Sequence, residues 1–598
     1  MNEYIAPLKD IRFLLQDMSG LAQVKELAGY EEVDLELADA ILEEAGKFAN
    51  GILSPLNRSG DLEGARLEPD GVHMPKGWPE AYKLFSDSGW TALSARKEYG
   101  GQHLPQLIAA AVEEIWNGAN LAFTLSPMLI RCAQQVLESR GSEEQKKIYL
   151  PKLISGHWTG TMALTESHAG SDVGAIRTKA VRQEDGTYRL SGQKIFITYG
   201  DHDMTENIVH LVLARVEGAP DGGKGISLFI VPKHLVNDDG SLGARNDVRA
   251  ISLEHKMGIH ASPTCVMAFG EQEGAIGYIV GEENRGLENM FVMMNAARFA
   301  VGLEGVGISE RAYQRALNYA KERIQGTEIG SKSGERVIIL KHPDIRRMLL
   351  SMRSRVEAMR AISCSIAVSM DIADKHPDPA IKAKHQGLIE LLMPIAKGWF
   401  TENAVDIASL GIQIHGGVGF IEETGAAQYY RDSRISSIYE GTTGIQANDL
   451  INRKVSRDKG ASITALVKEM KLTQAELSKH DDLTLVGIHN GLADGIDALE
   501  TAVDFLLEAF QSDPRKAFAG AVPFLDLFGT VVGGWQLARC AVVAKSKLAC
   551  ETKDSDFYFT KIQTARFYAD HILTKTSGLA KAVTVGSSAV LALNETFF

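Results

Sequence analysis

What this 598-residue chain has little of narrows its function first. It holds five cysteines (Cys132, Cys265, Cys364, Cys540 and Cys550), none in a CxxC pair and none beside histidine at zinc spacing. An odd, scattered set argues against a disulfide framework or a structural metal site. It points instead to reduced, mostly buried thiols in a reducing compartment. Positive charge is not in excess: 63 Lys and Arg stand against 76 Asp and Glu, a formal net charge of −13. Sequence-independent nucleic-acid binding needs a basic footprint, so that class of function is disfavoured. No run of about 18 apolar residues occurs, so no integral membrane segment is expected. The best stretch, 531–544, is interrupted by Gly533, Gly534, Gln536 and Arg539 and reads as a buried helix. Ahead of Asp10 and Arg12 there is no basic region followed by an apolar one. No signal peptide is therefore expected, and the reading is a soluble, cytoplasmic protein.

What is present divides into four blocks. Residues 1–158 look helical: Leu35, Ala38, Ile41, Leu42 and Ala45 recur at helical spacing, and Ser142-Glu143-Glu144-Gln145 has the form of a capping box. Residues 159–282 change texture. The runs 188–190, 194–198, 208–216 and 226–231 are rich in β-branched and aromatic residues, with turn signals at Asp185-Gly186 and Asp221-Gly222-Gly223. This block is expected to be a compact antiparallel domain. From 283 the helical period returns, with helices over 287–323, 342–374 and 382–410 and a loop through Gly330, Ser331 and Gly334. A polar stretch, 453–460, marks a boundary, and 461–598 is a further helical block broken at Asp513-Pro514. The order is helices, strands, helices, helices. It excludes an alternating βαβ arrangement and gives an α+β class, mainly α.

Four short constellations have the residue types of a ligand site. The segment Met162-Ala163-Leu164-Thr165-Glu166-Ser167-His168-Ala169-Gly170-Ser171-Asp172 offers hydroxyls, a glycine and backbone N–H groups that suit carbonyls and phosphates; on its own such a loop is usually only a connector. Phe196 and Thr198 share one face of a strand, where they suit a flat cofactor or an ordinary half-buried strand. Gln413-Ile414-His415-Gly416-Gly417-Val418-Gly419 permits close approach of backbone to phosphate, yet lacks the GxGxxG spacing and the preceding strand of a dinucleotide fingerprint. Glu440 lies in Tyr439-Glu440-Gly441-Thr442-Thr443, a setting for a general base or for a turn-capping carboxylate. Gly302, Gly305 and Gly307 fall within a helical pattern and read as close helix packing. Arg298 and Arg323, in the same pattern, are candidates for phosphate contact.

Taken in order, these segments resemble the acyl-CoA dehydrogenase family. TESHAGSD is similar to its TEPGAGSD, KIFITYG to its K-x-W-I-T-N-G strand, and ARFAVG to its substrate-arginine helix. QIHGGVGF is similar to QxxGGxG, and YEGTTGIQ to YEGT-x-x-IQ. The likeness covers about 35–455. The additional length resembles a bacterial subgroup whose substrates include 3-methylmercaptopropionyl-CoA and a broader range of acyl-CoAs.

The resemblance implies the family fold: an N-terminal helical domain (1–158), a middle β domain (159–282), a helical bundle carrying the base (283–460) and an extra helical domain (461–598). It implies FAD, with Met162, Leu164, Thr165 and Ser171 lining it, Phe196 against the flavin and Thr198 near its N5. Arg323, Gln413, Gly416 and Gly417 would meet FAD across a homodimer, with Thr442 and Thr443 following the base onto it. Arg298 and Ser171 would contact CoA, and Tyr439 and Gly441 the substrate beside Glu440. No metal is implied. The implied reaction is removal of the α-proton by Glu440 and of the β-hydride by flavin, giving a trans-2-enoyl-CoA, with an electron-transfer flavoprotein as acceptor. An oxygen-using acyl-CoA oxidase and a non-enzymatic DNA-binding relative share the fold and stand as alternatives. The sequence departs from the pattern at Ser167-His168, Phe196 and Gly444.

Overall fold

The computed structural model describes residues 4–598 except 238 and 333. The chain folds into two compact units. One comprises Lys47–Pro105 and Ala119–Ala300; the other comprises the chain up to Gly46, Gln106–Gly118 and Val301–Phe598.

The first unit is built on an eight-stranded sheet. Its path runs Val248–Leu253, Thr264–Phe269, Tyr188–Thr198, Ala275–Ile279, Ile226–Pro232, Asn207–Val216 and Trp158–Ala163, with Lys179–Arg182 pairing beside Tyr188–Thr198. Alternating apolar side chains, among them Leu190, Ile197, Val212, Phe229, Val231 and Phe269, close its core. The expected strands are all present, and 188–190 and 194–198 are one strand of 11 residues. The antiparallel expectation needs one correction. Trp158–Ala163 and Lys179–Arg182 each pair in parallel with Asn207–Val216. Intervening strands separate both from that partner, and such a crossover permits parallel pairing where a tight hairpin does not. Among the helices, Glu143–Ile154 starts at the capping box read from sequence: Ser142 Oγ accepts from Gln145 N at 3.2 Å, and Ser142 N donates to Gln145 Oε1 at 3.1 Å. A small hairpin, Arg66–Glu68 with Gly71–His73, interrupts a stretch read as helical. Three-residue strands are too short to leave a period-2 signature.

The second unit is helical. The later part of the helix Gly286–Glu322 meets Pro343–Lys375 through Glu310 and Arg360, and meets the turn Ile395–Trp399 at Gly302. Pro343–Lys375 packs on Pro379–Pro394, which continues through that π-helical turn into Phe400–His415. The expected loop through Gly330, Ser331 and Gly334 joins the strands of a short hairpin, Ile324–Thr327 with Arg336–Ile338. Gly302 and Gly307 are close-packing positions as read from sequence: a Cβ would sit 2.7 Å from the Ala396 carbonyl oxygen and 2.6 Å from Asn117 Cβ, respectively.

Residues 461–598 fold onto this same bundle. Ala521–Leu548 covers the stretch read as a buried helix, and its most apolar window is 83% buried. A Cβ on Gly529 would meet Trp399 Cγ at 2.3 Å, and one on Gly398 would meet Leu525 Cδ2 at 2.6 Å. The helix therefore lies directly on the Ile395–Trp399 turn. Asp513 caps Pro514–Ala519, accepting from Arg515 N at 3.2 Å, which is the break expected at Asp513-Pro514. Charge pairs tie the unit together: Lys561 bonds to Asp10 and lies 3.1 Å from Glu357, and Arg360 bonds to Glu114 at 2.6 Å and Glu310 at 2.7 Å.

Candidate active site

In the β unit, the sequence-selected residues gather where Trp158–Ala163 ends and Tyr188–Thr198 passes it. Lys194, fully buried, donates to the Leu164 carbonyl at 2.9 Å and to Glu166 Oε1 at 2.8 Å. Glu166 also accepts from Arg177 N (2.7 Å), Thr178 N (3.0 Å) and Thr178 Oγ1 (2.6 Å). Burial works to raise the Glu166 carboxyl, but Lys194 and these donors outweigh it and hold it down at about 2. Burial pulls the Lys194 ammonium down to about 8 against the pull of Glu166. The loop is thus pinned at its base, with Glu166 and Ala169 exchanging backbone hydrogen bonds. Ser171 stays exposed, Met162 and Thr165 are half-buried, and Leu164 is buried. Lys194 and Glu166 were visible only as parts of motifs; a lysine at an inward strand position is the signal that marks them.

The same strand is distorted where it faces outward. Opposite Thr264–Phe269 the register slips between Ile197 and Lys194, so two residues bulge against one. Phe196 lies in that bulge at φ +60° and Tyr199 at φ +51°. A non-glycine residue in this region costs of order 1–3 kcal/mol and persists only where its surroundings impose it. Tyr199 is imposed by a donor and an acceptor: it accepts from Trp78 Nε1 at 3.3 Å and donates to the Ala122 carbonyl at 2.8 Å. Phe196 is left 58% exposed although it is a large aromatic, with half-buried Thr198 two residues on. In this unit, Arg298 is buried and bonds to Asn295 Oδ1 at 3.4 Å, so it is not the solvated surface arginine that a helix usually carries.

In the helical unit, Glu440 is half-buried and takes φ +56°, followed by Gly441 at φ +88°. This turn is held from behind. Gln446 Nε2 donates to the Glu440 carbonyl at 3.1 Å, and buried Lys397 donates to the Gly441 carbonyl at 2.7 Å. Thr442 caps the helix Thr443–Asp449 through Ile445 N at 3.4 Å, and the Thr443 hydroxyl donates to Glu402. Tyr439 donates from its hydroxyl to Glu304, a carboxyl only 2% exposed on the helix Gly286–Glu322. Burial, first, and the charges of Glu113 and Glu440 push Glu304 up to about 8, against the opposing effects of Tyr439 and Lys397. Gln446 was visible only as the last residue of YEGTTGIQ, and Glu304 and Lys397 were not singled out from sequence. The latter two are charged residues inside apolar helical patterns, and that is the signal that could have found them.

Gly416 and Gly417, at the end of Phe400–His415, have nothing within 4 Å of a built Cβ, whereas one on Gly419 would sit 2.4 Å from the Ile412 carbonyl oxygen. The first two leave open backbone and the third is a packing glycine. Gln413 and Arg323 are exposed, with Arg323 bonded to Gln325 Oε1 at 3.2 Å. Among the described residues, no group of His, Cys, Asp or Glu is placed to hold a metal. The β unit has an open cleft of about 820 Å³ lined by Asp172, Arg177, Lys179, Arg215 and the 217–223 turn.

Family models match nearly the whole chain: the acyl-CoA dehydrogenase N-terminal domain over 38–157, its middle domain over 161–271, its C-terminal domain over 284–455, and an acetyl-CoA dehydrogenase C-terminal-like domain over 463–594. The chain is 48% identical to 3-methylmercaptopropionyl-CoA dehydrogenase of Ruegeria pomeroyi, over 97% of this chain and 98% of that protein. It is 35% identical to the broad-specificity linear acyl-CoA dehydrogenase FadE5 of Mycobacterium tuberculosis over the full length of both. Its fold is that of an acyl-CoA dehydrogenase of Bacillus anthracis solved with FAD, with TM-score 0.74 and 22% identity, covering 96% of this chain and 91% of that one. The chain belongs to the acyl-CoA dehydrogenase family of flavin-dependent oxidoreductases acting on CH–CH bonds.

Proposed function

We propose that the protein converts an acyl-CoA thioester to the trans-2-enoyl-CoA, with Glu440 taking the α-proton. The observation that supports this most is the turn at Glu440. A half-buried carboxylate is held in a left-handed backbone conformation, with its own carbonyl and the next one engaged by Gln446 and Lys397. A thioester α-proton is too weakly acidic for a carboxylate that must first reorient. A base fixed before substrate arrives avoids that reorganisation. With the two carbonyls turned inward, the backbone N–H of Glu440 is the donor we assign to the thioester oxygen, where negative charge develops as the proton leaves.

The residues present fit FAD. Phe196 exposes an aromatic face beside Thr198 on a locked bulge, and Gly416 and Gly417 leave backbone that a side chain would otherwise cover. Met162, Leu164, Thr165, Ser171, Phe196 and Thr198 would hold the flavin, with Thr442 and Thr443 following the base. Arg323, Gln413, Gly416 and Gly417 would meet FAD of a second copy in a homodimer. When bound, FAD supplies the acceptor for the β-hydride. Arg298, Ser171 and the basic side chains of the cleft at 172–223 are assigned to CoA, with Tyr439 and Gly441 flanking the acyl group. An electron-transfer flavoprotein is the proposed acceptor. The 48% identical relative makes 3-methylmercaptopropionyl-CoA the first substrate to try, with straight-chain acyl-CoAs beside it.

The test is anaerobic titration of the yellow protein with that panel. Bleaching by at least one member, and its loss in Glu440→Gln with FAD retained, is the expected result. Substantial reduction of the Glu440→Gln flavin would remove Glu440 as the base.

A further inference from the structure

A second carboxyl lies behind the one assigned as base. Glu304 is on the helix Gly286–Glu322 between Gly302 and Gly307, the two glycines that bring that helix against Ala396 and Asn117. The crossing is tight, and Glu304 is left 2% exposed. One of its oxygens takes the hydrogen bond of the Tyr439 hydroxyl; the other, Oε1, is buried and makes no hydrogen bond among the described residues. The charged groups that act on it are Glu440 next to Tyr439, Glu113 from the helix Gln106–Ala119, and Lys397 from the turn Ile395–Trp399. Two of these three are acidic, and Lys397, whose ammonium also bonds to the Gly441 carbonyl, opposes them only in part. A carboxyl with one unsatisfied buried oxygen and two acidic neighbours is cheaper to keep neutral than to ionise.

We propose that Glu304 is a positioning residue for the base: around neutral pH it keeps a proton behind Tyr439, and on losing that proton at higher pH it makes Glu440 a stronger proton acceptor. The proposal rests on Glu440 being the base. Loss of the Glu304 proton places a second negative charge next to Tyr439-Glu440. Like charges raise each other's proton affinity, so the two carboxyls titrate as a pair. Burial and these acidic neighbours push the Glu304 carboxyl up to about 8.

The test uses the FAD-loaded enzyme in two measurements. Without substrate, pH-difference infrared spectra should show a protonated-carboxyl C=O band that disappears in the mildly alkaline range. The band should be absent in Glu304→Gln and retained, at a displaced midpoint, in Glu304→Asp. In Glu440→Gln its midpoint should fall by about one pH unit, because the coupling is reciprocal. With substrate, the single-turnover rate of flavin reduction should step up by about threefold across the same pH range in the wild type and lose that step in Glu304→Gln. A band missing from the wild type, or one that Glu440→Gln leaves in place, overturns the proposal. So does a rate profile of Glu304→Gln that superposes on the wild type. Coupled infrared titrations in an enzyme that no acyl-CoA bleaches would support the carboxyl pair and remove the dehydrogenase reading instead.

Discussion

The bulged strand at Phe196 and the turn at Glu440 are both strained, but charge is handled differently behind them. Behind Phe196 the buried charges are paired: Lys194 meets Glu166, three further donors complete the carboxylate, and Glu166 is held down at about 2. Behind Glu440 the acids are only partly compensated, and burial pushes Glu304 up to about 8. A paired, satisfied buried charge fixes shape and does not exchange protons near neutrality. An incompletely paired one stays available to a proton. The first arrangement suits a surface that must present a flat face reproducibly, and the second suits a surface that must take up a proton.

The largest expected effect lies on the proton-handling side. Glu440→Gln should lower the single-turnover rate of flavin reduction by about 10³-fold or more while FAD stays bound. On the shape-holding side, Lys194→Met leaves Glu166 buried without its cation. It should cost about 3–5 kcal/mol in urea unfolding, with part of that recovered in Lys194→Met/Glu166→Gln. Full additivity of the two changes would show that the pair is not coupled.

The two regions should also respond to pH in opposite senses. Glu304 binds its proton more tightly folded than unfolded, so its contribution is complete at low pH and is lost as pH rises toward about 8. Thermal melts should therefore show a fall in stability between about pH 4.5 and 8 that is shallower in Glu304→Gln. Glu166 is held below its unfolded value, so its contribution is present at neutral pH and is lost only as pH falls toward about 2. Glu304→Gln melts that follow the wild type across that range would count against a protonated Glu304. The smallest effect expected is from Thr442→Ala, which removes a helix cap worth about 1 kcal/mol and should lower the melting temperature slightly.

Much of the fold was legible in the chain. Strong helical periodicity located Gly286–Glu322 and Pro343–Lys375, β-branched runs located Asn207–Val216 and Ile226–Pro232, and local chemistry located the Ser142 capping box and the Asp513-Pro514 break. The parallel pairings of Asn207–Val216 were not legible, because pairing direction depends on contacts between distant segments. Nor were the two short hairpins, whose strands are too brief to show a period.

The same division runs through the site. Order and residue type alone picked out Glu440, Phe196, Thr198 and the glycines at 416–417, because chemistry of this kind demands particular side chains in particular sequence neighbourhoods. They could not reveal that Lys194 neutralises Glu166, that Gln446 and Lys397 hold the Glu440 turn, or that Glu304 sits behind Tyr439. Those facts depend on burial and on contacts across up to 135 residues of chain. Whether a buried charge fixes a shape or stores a proton is decided by which distant groups the fold brings against it.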